Sequence, residues 1–130
     1  MGWKLDDERP IYIQIVEKIS SDIASGIYSA GDKLPSVREF ALEAAVNPNT
    51  MQKALTELER IGLVYSKRTN GRYITDNEQL IQEYKSRLAK NETGNYLIRM
   101  NQLGFNKEQT LQYVQNCETS INEEDKSCNL

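Results

Sequence analysis

Isoleucine recurs at every fourth position from Ile11 through Ile15 and Ile19 to Ile23, and Tyr12 and Val16 widen the same stripe. That spacing sets the apolar side chains on one face of a helix, which must be buried to be stable. Pro10 suits the opening of such a helix and Gly26 its close. The stripe lasts little more than two heptads, too short for a coiled-coil seam, so it reads as core. Ahead of it, Trp3 and Leu5 are the apolar anchors of an extended start. Behind it, residues 27–35 have no helical period and carry Gly31 and Pro35, the marks of a turn-rich connector.

Ser36 and Glu39 then form a capping box, in which the hydroxyl and the carboxylate each satisfy one orphan N–H at a helix start. The short helix behind it carries Val37, Phe40, Ala41 and Ala44 on its apolar side, and Ala45-Val46 leave room only for a tight turn. Asn47 is a good N-cap and Pro48 a good first helical residue. Met51, Ala54, Leu55, Leu58 and Ile61 follow at helical spacing until Gly62. Leu63-Val64-Tyr65-Ser66 and Arg72-Tyr73-Ile74-Thr75 are β-prone, and Asn70-Gly71 between them favours a primed hairpin turn. A helix, a helix-turn-helix and a hairpin in that order predict a winged helix over residues 10–75, within a domain of 1–76.

The period changes beyond the hairpin. Asp76 or Asn77 could cap a helix bearing Leu80, Ile81, Tyr84 and Leu88. A second helix is expected after Asn91-Glu92-Thr93, with Tyr96, Leu97, Met100 and Leu103 before Gly104. A third opens at Asn106 with Gln109 as its box partner, and carries Leu111, Val114 and Cys117. Three short helices over 77–117 are too few for a core of their own, so their faces must rest on the winged helix or on a second copy. Little concavity is available there for a ligand. Leu80, Ile81, Tyr84, Leu88, Tyr96, Leu97, Met100 and Leu103 are therefore expected to form a dimer interface. Residues 118–130 are acidic and polar and are expected to be disordered. The predicted fold is mainly α with a small β-hairpin: an N-terminal winged helix-turn-helix followed by short C-terminal dimerisation helices.

Composition narrows the function. Of 130 residues, 27% are charged and 38% hydrophobic, ordinary for a soluble globular protein. No apolar run is long enough to span a membrane and no secretory signal is evident, so a cytoplasmic protein is expected. Cys117 and Cys128 fit no metal-ligand spacing and are expected to be free thiols, with no metal and no cofactor. There is no histidine, no paired carboxylate constellation and no nucleotide-binding glycine loop, so the chain does not read as an enzyme. A net charge of −3 argues mildly against a nucleic-acid partner, but its distribution matters more than its sum. Residues 65–73 hold Lys67, Arg68 and Arg72 and no acid, whereas acids cluster at Asp6-Asp7-Glu8 and Glu123-Glu124-Asp125.

The helix after Asn47 carries the chemistry. Its outer face opens with Asn49, Thr50, Gln52 and Lys53 beside a positive helix end. Amide side chains can pair bidentately with adenine edges in a major groove. Lys53, Lys67, Arg68 and Arg72 suit phosphates, or a solvated face. Arg38 lies in the first turn of its helix, where a cation opposes the helix dipole, so it calls for an outside anion or for a bridge to Glu39 or Glu43. Ser36 and Asn47 are first of all caps. A winged helix that binds protein or RNA is the alternative use of the same fold.

The residues so assembled resemble the GntR family of bacterial transcription regulators. The likeness runs through Pro10-Ile11-Tyr12-Ile13-Gln14-Ile15, Gly31-Asp32-Lys33-Leu34-Pro35-Ser36-Val37-Arg38-Glu39 and Asn47-Pro48-Asn49-Thr50. It continues in Ala54-Leu55, Leu58-Glu59, Gly62-Leu63 and Gly71-Arg72-Tyr73-Ile74. The short helical tail looks like the YtrA subfamily. The resemblance implies a small homodimeric repressor on a double-stranded DNA operator, with the tail as dimerisation element. It implies DNA contacts from Arg38, from Asn47, Asn49, Thr50 and Gln52, and from the wing glycine Gly71. Two-fold symmetry would then require an inverted-repeat operator. Other branches often carry arginines where this chain has Pro48 and Gln52, so their base preferences do not transfer. The wing is also more basic than a bare glycine tip, and no residue names a small-molecule effector.

Overall fold

Caps decide where the helices of this protein begin, and a computed structural model describing residues 2–118 shows them in place. Ser36 Oγ accepts the Glu39 N–H and the Glu39 carboxylate accepts the Ser36 N–H, both at 3.2 Å, opening α2 (Val37–Ala44). Asn47 Oδ1 accepts the Asn49 N–H at 2.7 Å, and Pro48 is the first residue of α3 (Pro48–Arg60). Between the two helices Ala45 takes the left-handed conformation, φ +59°, and reverses the chain. Asn47→Ala should remove the α3 cap and cost about 0.5–2 kcal/mol of stability. Urea unfolding measures it, and an unshifted midpoint would show that the cap carries no weight.

The isoleucine stripe is core, as its period predicts. Helix α1 (Ile11–Ala24) buries Ile15, Ile19 and Ile23 against Phe40 of α2 and Met51, Leu55 and Leu58 of α3. The N-terminal stretch is tied down more firmly than two apolar anchors suggest. Trp3 meets Phe40 edge-on at 5.5 Å, and its backbone N–H donates to Ala44 O at 3.2 Å. The buried Gln14 amide both donates to Asp6 O and accepts the Asp6 N–H, each at 2.8 Å.

The wing departs from its predicted turn. Strands β1 (Val64–Ser66) and β2 (Arg72–Ile74) pair antiparallel as Val64 with Ile74, Tyr65 with Tyr73 and Ser66 with Arg72. Residues 67–71 connect them through a 3-10 turn, Arg68–Asn70, with positive φ at Arg68 and Gly71 and not at Asn70. A primed two-residue turn at Asn70-Gly71 would need positive φ at both. It would also pair Ile74 with Lys67. The observed register instead puts Val64 and Ile74 together on the buried face, and burial of a face decides register. The connector before α2 also does more than turn. Gly31 N–H donates to Ile74 O, Ile74 N–H to Asp32 O and Leu34 N–H to Arg72 O, so residues 31–34 line the outer edge of β2.

Beyond the wing, the first two expected tail helices are one. Helix α4 runs Glu78–Gln102 without a break, opened by Asn77, whose Oδ1 accepts the Leu80 N–H at 3.1 Å. Asn91, Glu92 and Thr93 cost a helix only tenths of a kcal/mol each and Gly94 about one, too little to stop it. The apolar stripe nevertheless changes phase along it. Leu80, Ile81, Tyr84 and Leu88 fall on one side of a helix of about 3.6 residues per turn, and Tyr96, Leu97, Met100 and Leu103 on another. The chain divides into two compact units inside this helix, Met1–Ser86 and Arg87–Leu130.

In the first unit Ile81 joins the winged-helix core, with Leu80 and Tyr84 packed against it. In the second, Met100 is buried, and α5 (Lys107–Asn116) opens on the expected Asn106–Gln109 box. There Leu88 and Leu97 are half-buried, while Tyr96, Ile98, Leu103, Leu111 and Val114 are exposed. Cys117 is disulfide-bonded, which corrects the expectation that its thiol is free. Apart from Glu118, the stretch expected to be disordered lies outside the described residues.

Candidate nucleic-acid interface

Helix α3 has a packed back and an open front. Met51, Ala54, Leu55 and Leu58 are fully buried, whereas Asn49, Gln52 and Lys53 are exposed and Thr50 half so. Burial of the back fixes the direction in which the front points, so the amides are presented by a rigid element. Gln52 Nε2 donates to Thr56 Oγ1 at a long 3.4 Å, a bond easily exchanged for another acceptor. Lys53 Nζ lies 4.0 Å from the centroid of the Tyr12 ring of α1, a cation–π contact that steadies its long stem. Sequence spacing could not reveal that pair, because it forms between two elements.

Ser36 and Asn47 are exposed and occupied as caps. Arg38 is exposed in the first turn of α2. Among the described residues it bridges neither Glu39 nor Glu43, so its unfavourable place at a helix start has no internal compensation. The Ser36 backbone N–H and then its hydroxyl hold the Glu39 carboxyl below its ordinary pKa, fixing the acid in the cap.

The wing sorts its cations. Lys67 Nζ sits 4.5 Å from the Tyr73 ring and 5.8 Å from Tyr65, and these two rings stack at 5.9 Å. Arg68 is exposed, and Gly71 at φ +99° closes the loop in a conformation that suits only glycine. Arg72 faces the other way. Its Nε donates to Glu59 of α3 at 2.7 Å, in a pair whose side chains are 18% and 29% exposed. Glu59 also accepts from Ser66 Oγ. Partial burial pushes the Glu59 pKa up, but the hydrogen bonds from Ser66 and Arg72 and the Arg72 charge outweigh it and hold the carboxyl below its usual range. Strand parity carried the signal: Arg72 and the buried Ile74 share a face.

A capped, amide-fronted helix on a buried back, flanked by an arginine-bearing helix start and a basic hairpin, defines a winged helix-turn-helix of the DNA-binding class. Residues 11–74 match the family model for bacterial regulatory proteins of the gntR family. Over 114 residues the chain is 35% identical to the HTH-type transcriptional regulator YhcF of Bacillus subtilis, covering 88% of this chain and 94% of that one. It is 34% identical to the HTH-type transcriptional repressor YtrA of the same organism, over 86% of this chain and 87% of that one. A solved GntR family transcriptional regulator from Listeria monocytogenes superposes with a TM-score of 0.85 at 43% identity, over 88% of this chain and all of that one. The DNA-binding domain of AraR, solved in complex with operator ORX1, matches 58% of this chain and 92% of its own at 30% identity and a TM-score of 0.50. The chain belongs to the GntR family of bacterial transcription regulators. Among the described residues, no helix is long and apolar enough to cross a membrane.

Proposed function

We propose that this protein is a homodimeric transcriptional repressor that binds an inverted-repeat DNA operator in the cytoplasm, with no metal, cofactor or catalytic step. Each protomer would lay the start of α3 in a major groove, with Asn49, Thr50 and Gln52 toward base edges and Lys53 toward the backbone. Arg38, Lys67 and Arg68 would meet phosphates, and Gly71 would let the wing approach the duplex closely. The observation that carries this is the exposure of Asn49 and Gln52 on a helix whose opposite face is wholly buried. The repressor named YtrA and the operator complex of AraR, relatives and neighbours of this chain, support the same use.

Dimerisation would come from the exposed apolar side chains Tyr96, Leu103, Leu111 and Val114, with Leu88 and Leu97 at their margin. Leu80, Ile81, Tyr84 and Met100 would act from beneath, by shaping the elements that bear that surface. Half-sites would lie about one helical turn apart, or a multiple of it.

Selection of the full chain on a random-sequence duplex library tests the proposal. A two-fold-symmetric motif is expected, and failure to enrich any duplex sequence would overturn it. Gln52→Ala should relax base preference at one position in each half-site, by about 1–3 kcal/mol of discrimination. Weakening that is equal for all sequences would remove Gln52 from base reading.

A further inference from the structure

The pleat of the wing separates side chains that stand next to each other in sequence. Arg72 and Ile74 turn toward α3, where Arg72 meets Glu59. Tyr73, between them, points the opposite way and stacks on its cross-strand partner Tyr65, with Lys67 over both rings. Lys33 joins this second face. It is bridged to Tyr73 across the outer edge of β2, and directly opposed residues of a pair share a face. A Cβ built on Gly71 would lie 3.4 Å from Lys33 Cε, so the lysine stem crosses the wing glycine and its ammonium reaches the tip.

Lys33 also stands between the two elements proposed to hold the backbone. It lines an open cleft with Ser36 and Val37 at the start of α2 on one side, and Asn70 and Gly71 of the wing on the other. Its side chain is exposed, and among the described residues it makes no ion pair. Glu39 and Glu43 border the same cleft; Glu39 is engaged in the α2 cap and also feels the Lys33 charge, without pairing with it. Arg72 borders the cleft too, but its Nε is held by Glu59. To reach a phosphate it would have to leave the partly buried Glu59 without a cation, and would give up one tie of β2 to α3.

We propose that Lys33 is a DNA-backbone contact of the wing, and that Arg72 is a positioning residue that fixes β2 against α3 through Glu59. This rests on the DNA-binding function proposed above. Each phosphate contact adds about 0.9 to the slope of log affinity against log salt, whereas a positioning residue adds none.

The test is fluorescence anisotropy of the full chain on a labelled mixed-sequence duplex between about 50 and 200 mM salt. Lys33→Gln should flatten the slope by about 0.9 for each chain engaged. Arg72→Gln and Glu59→Gln should each weaken binding at the wild-type slope, and the double variant should be no worse than either, because the two residues act as one pair. A wild-type slope in Lys33→Gln would overturn the Lys33 contact. A flattened slope in Arg72→Gln, or a steeper one in Glu59→Gln, would return Arg72 to the phosphate contacts and overturn its positioning role. Absence of salt-dependent binding by the wild-type chain would instead overturn the DNA-binding function beneath both.

Discussion

Leu103→Glu is expected to turn the protein into a monomer and to weaken binding to a two-half-site operator by about 10²–10⁴-fold, the gain that linking two binding modules typically confers. Leu103 is 62% exposed at the end of α4, beyond the buried Met100. Its backbone N–H donates to Arg99 O and Met100 O, bonds that a glutamate side chain leaves intact. The substitution should therefore spare the fold of the protomer while placing a charge in the apolar surface proposed to face a second copy. Tyr96 on α4, and Leu111 and Val114 on α5, would share that surface. A unit whose described residues bury little beyond Met100 and Thr110 would gain stability by sharing a core with a twin. Sedimentation velocity and operator titration read the two effects separately. A variant that sediments with the same mass as the wild-type protein would remove the tail as the dimerisation element.

Phe40→Ala should cost about 3–5 kcal/mol of unfolding free energy, the usual loss for truncating a buried aromatic. Phe40 is fully buried where α2 meets the N-terminal stretch, edge-on to Trp3 at 5.5 Å and to Tyr28 at 6.5 Å. Against a typical domain stability of about 5–15 kcal/mol, this would leave a large unfolded fraction at growth temperature. Urea unfolding followed by Trp3 fluorescence measures it. A loss below about 1 kcal/mol would mean that the site collapses around the missing ring and that the ring does not fix α2.

Local rules carried the winged helix a long way. The period of Ile11, Ile15, Ile19 and Ile23, the caps at Ser36, Asn47 and Asn106, and the breaks at Gly26 and Gly62 each act within one or two helical turns, so the chain displays them directly. The misses came where a longer range decides. Helix α4 continues past Thr93 because a few weak helix formers cannot stop it, yet its apolar stripe changes phase there and reads like a boundary. The Asn70-Gly71 signal indicated a hairpin, but the pairing of Val64 with Ile74, fixed by burial from below, lengthened the loop to residues 67–71.

The candidate site divides in the same way. Asn49 and Gln52 are exposed on the helix whose first turn singled them out, and Arg38 has no ion-pair partner among the described residues. Arg72 counts as one more wing cation in a tally of charge, and only strand parity and the partner Glu59 assign it elsewhere. Lys33 lay hidden in a connector that showed no strand period, because it acquires its neighbours from β2.

The left-handed Ala45 between α2 and α3 bears on how readily this protein meets a duplex. Glycine would adopt that conformation more freely, and would leave the joint looser in every other state of the chain. Alanine narrows the choices. The two helices arrive with their crossing angle already set, so little entropy is lost in ordering them on contact, and a preorganised pair converts more of its contact energy into affinity.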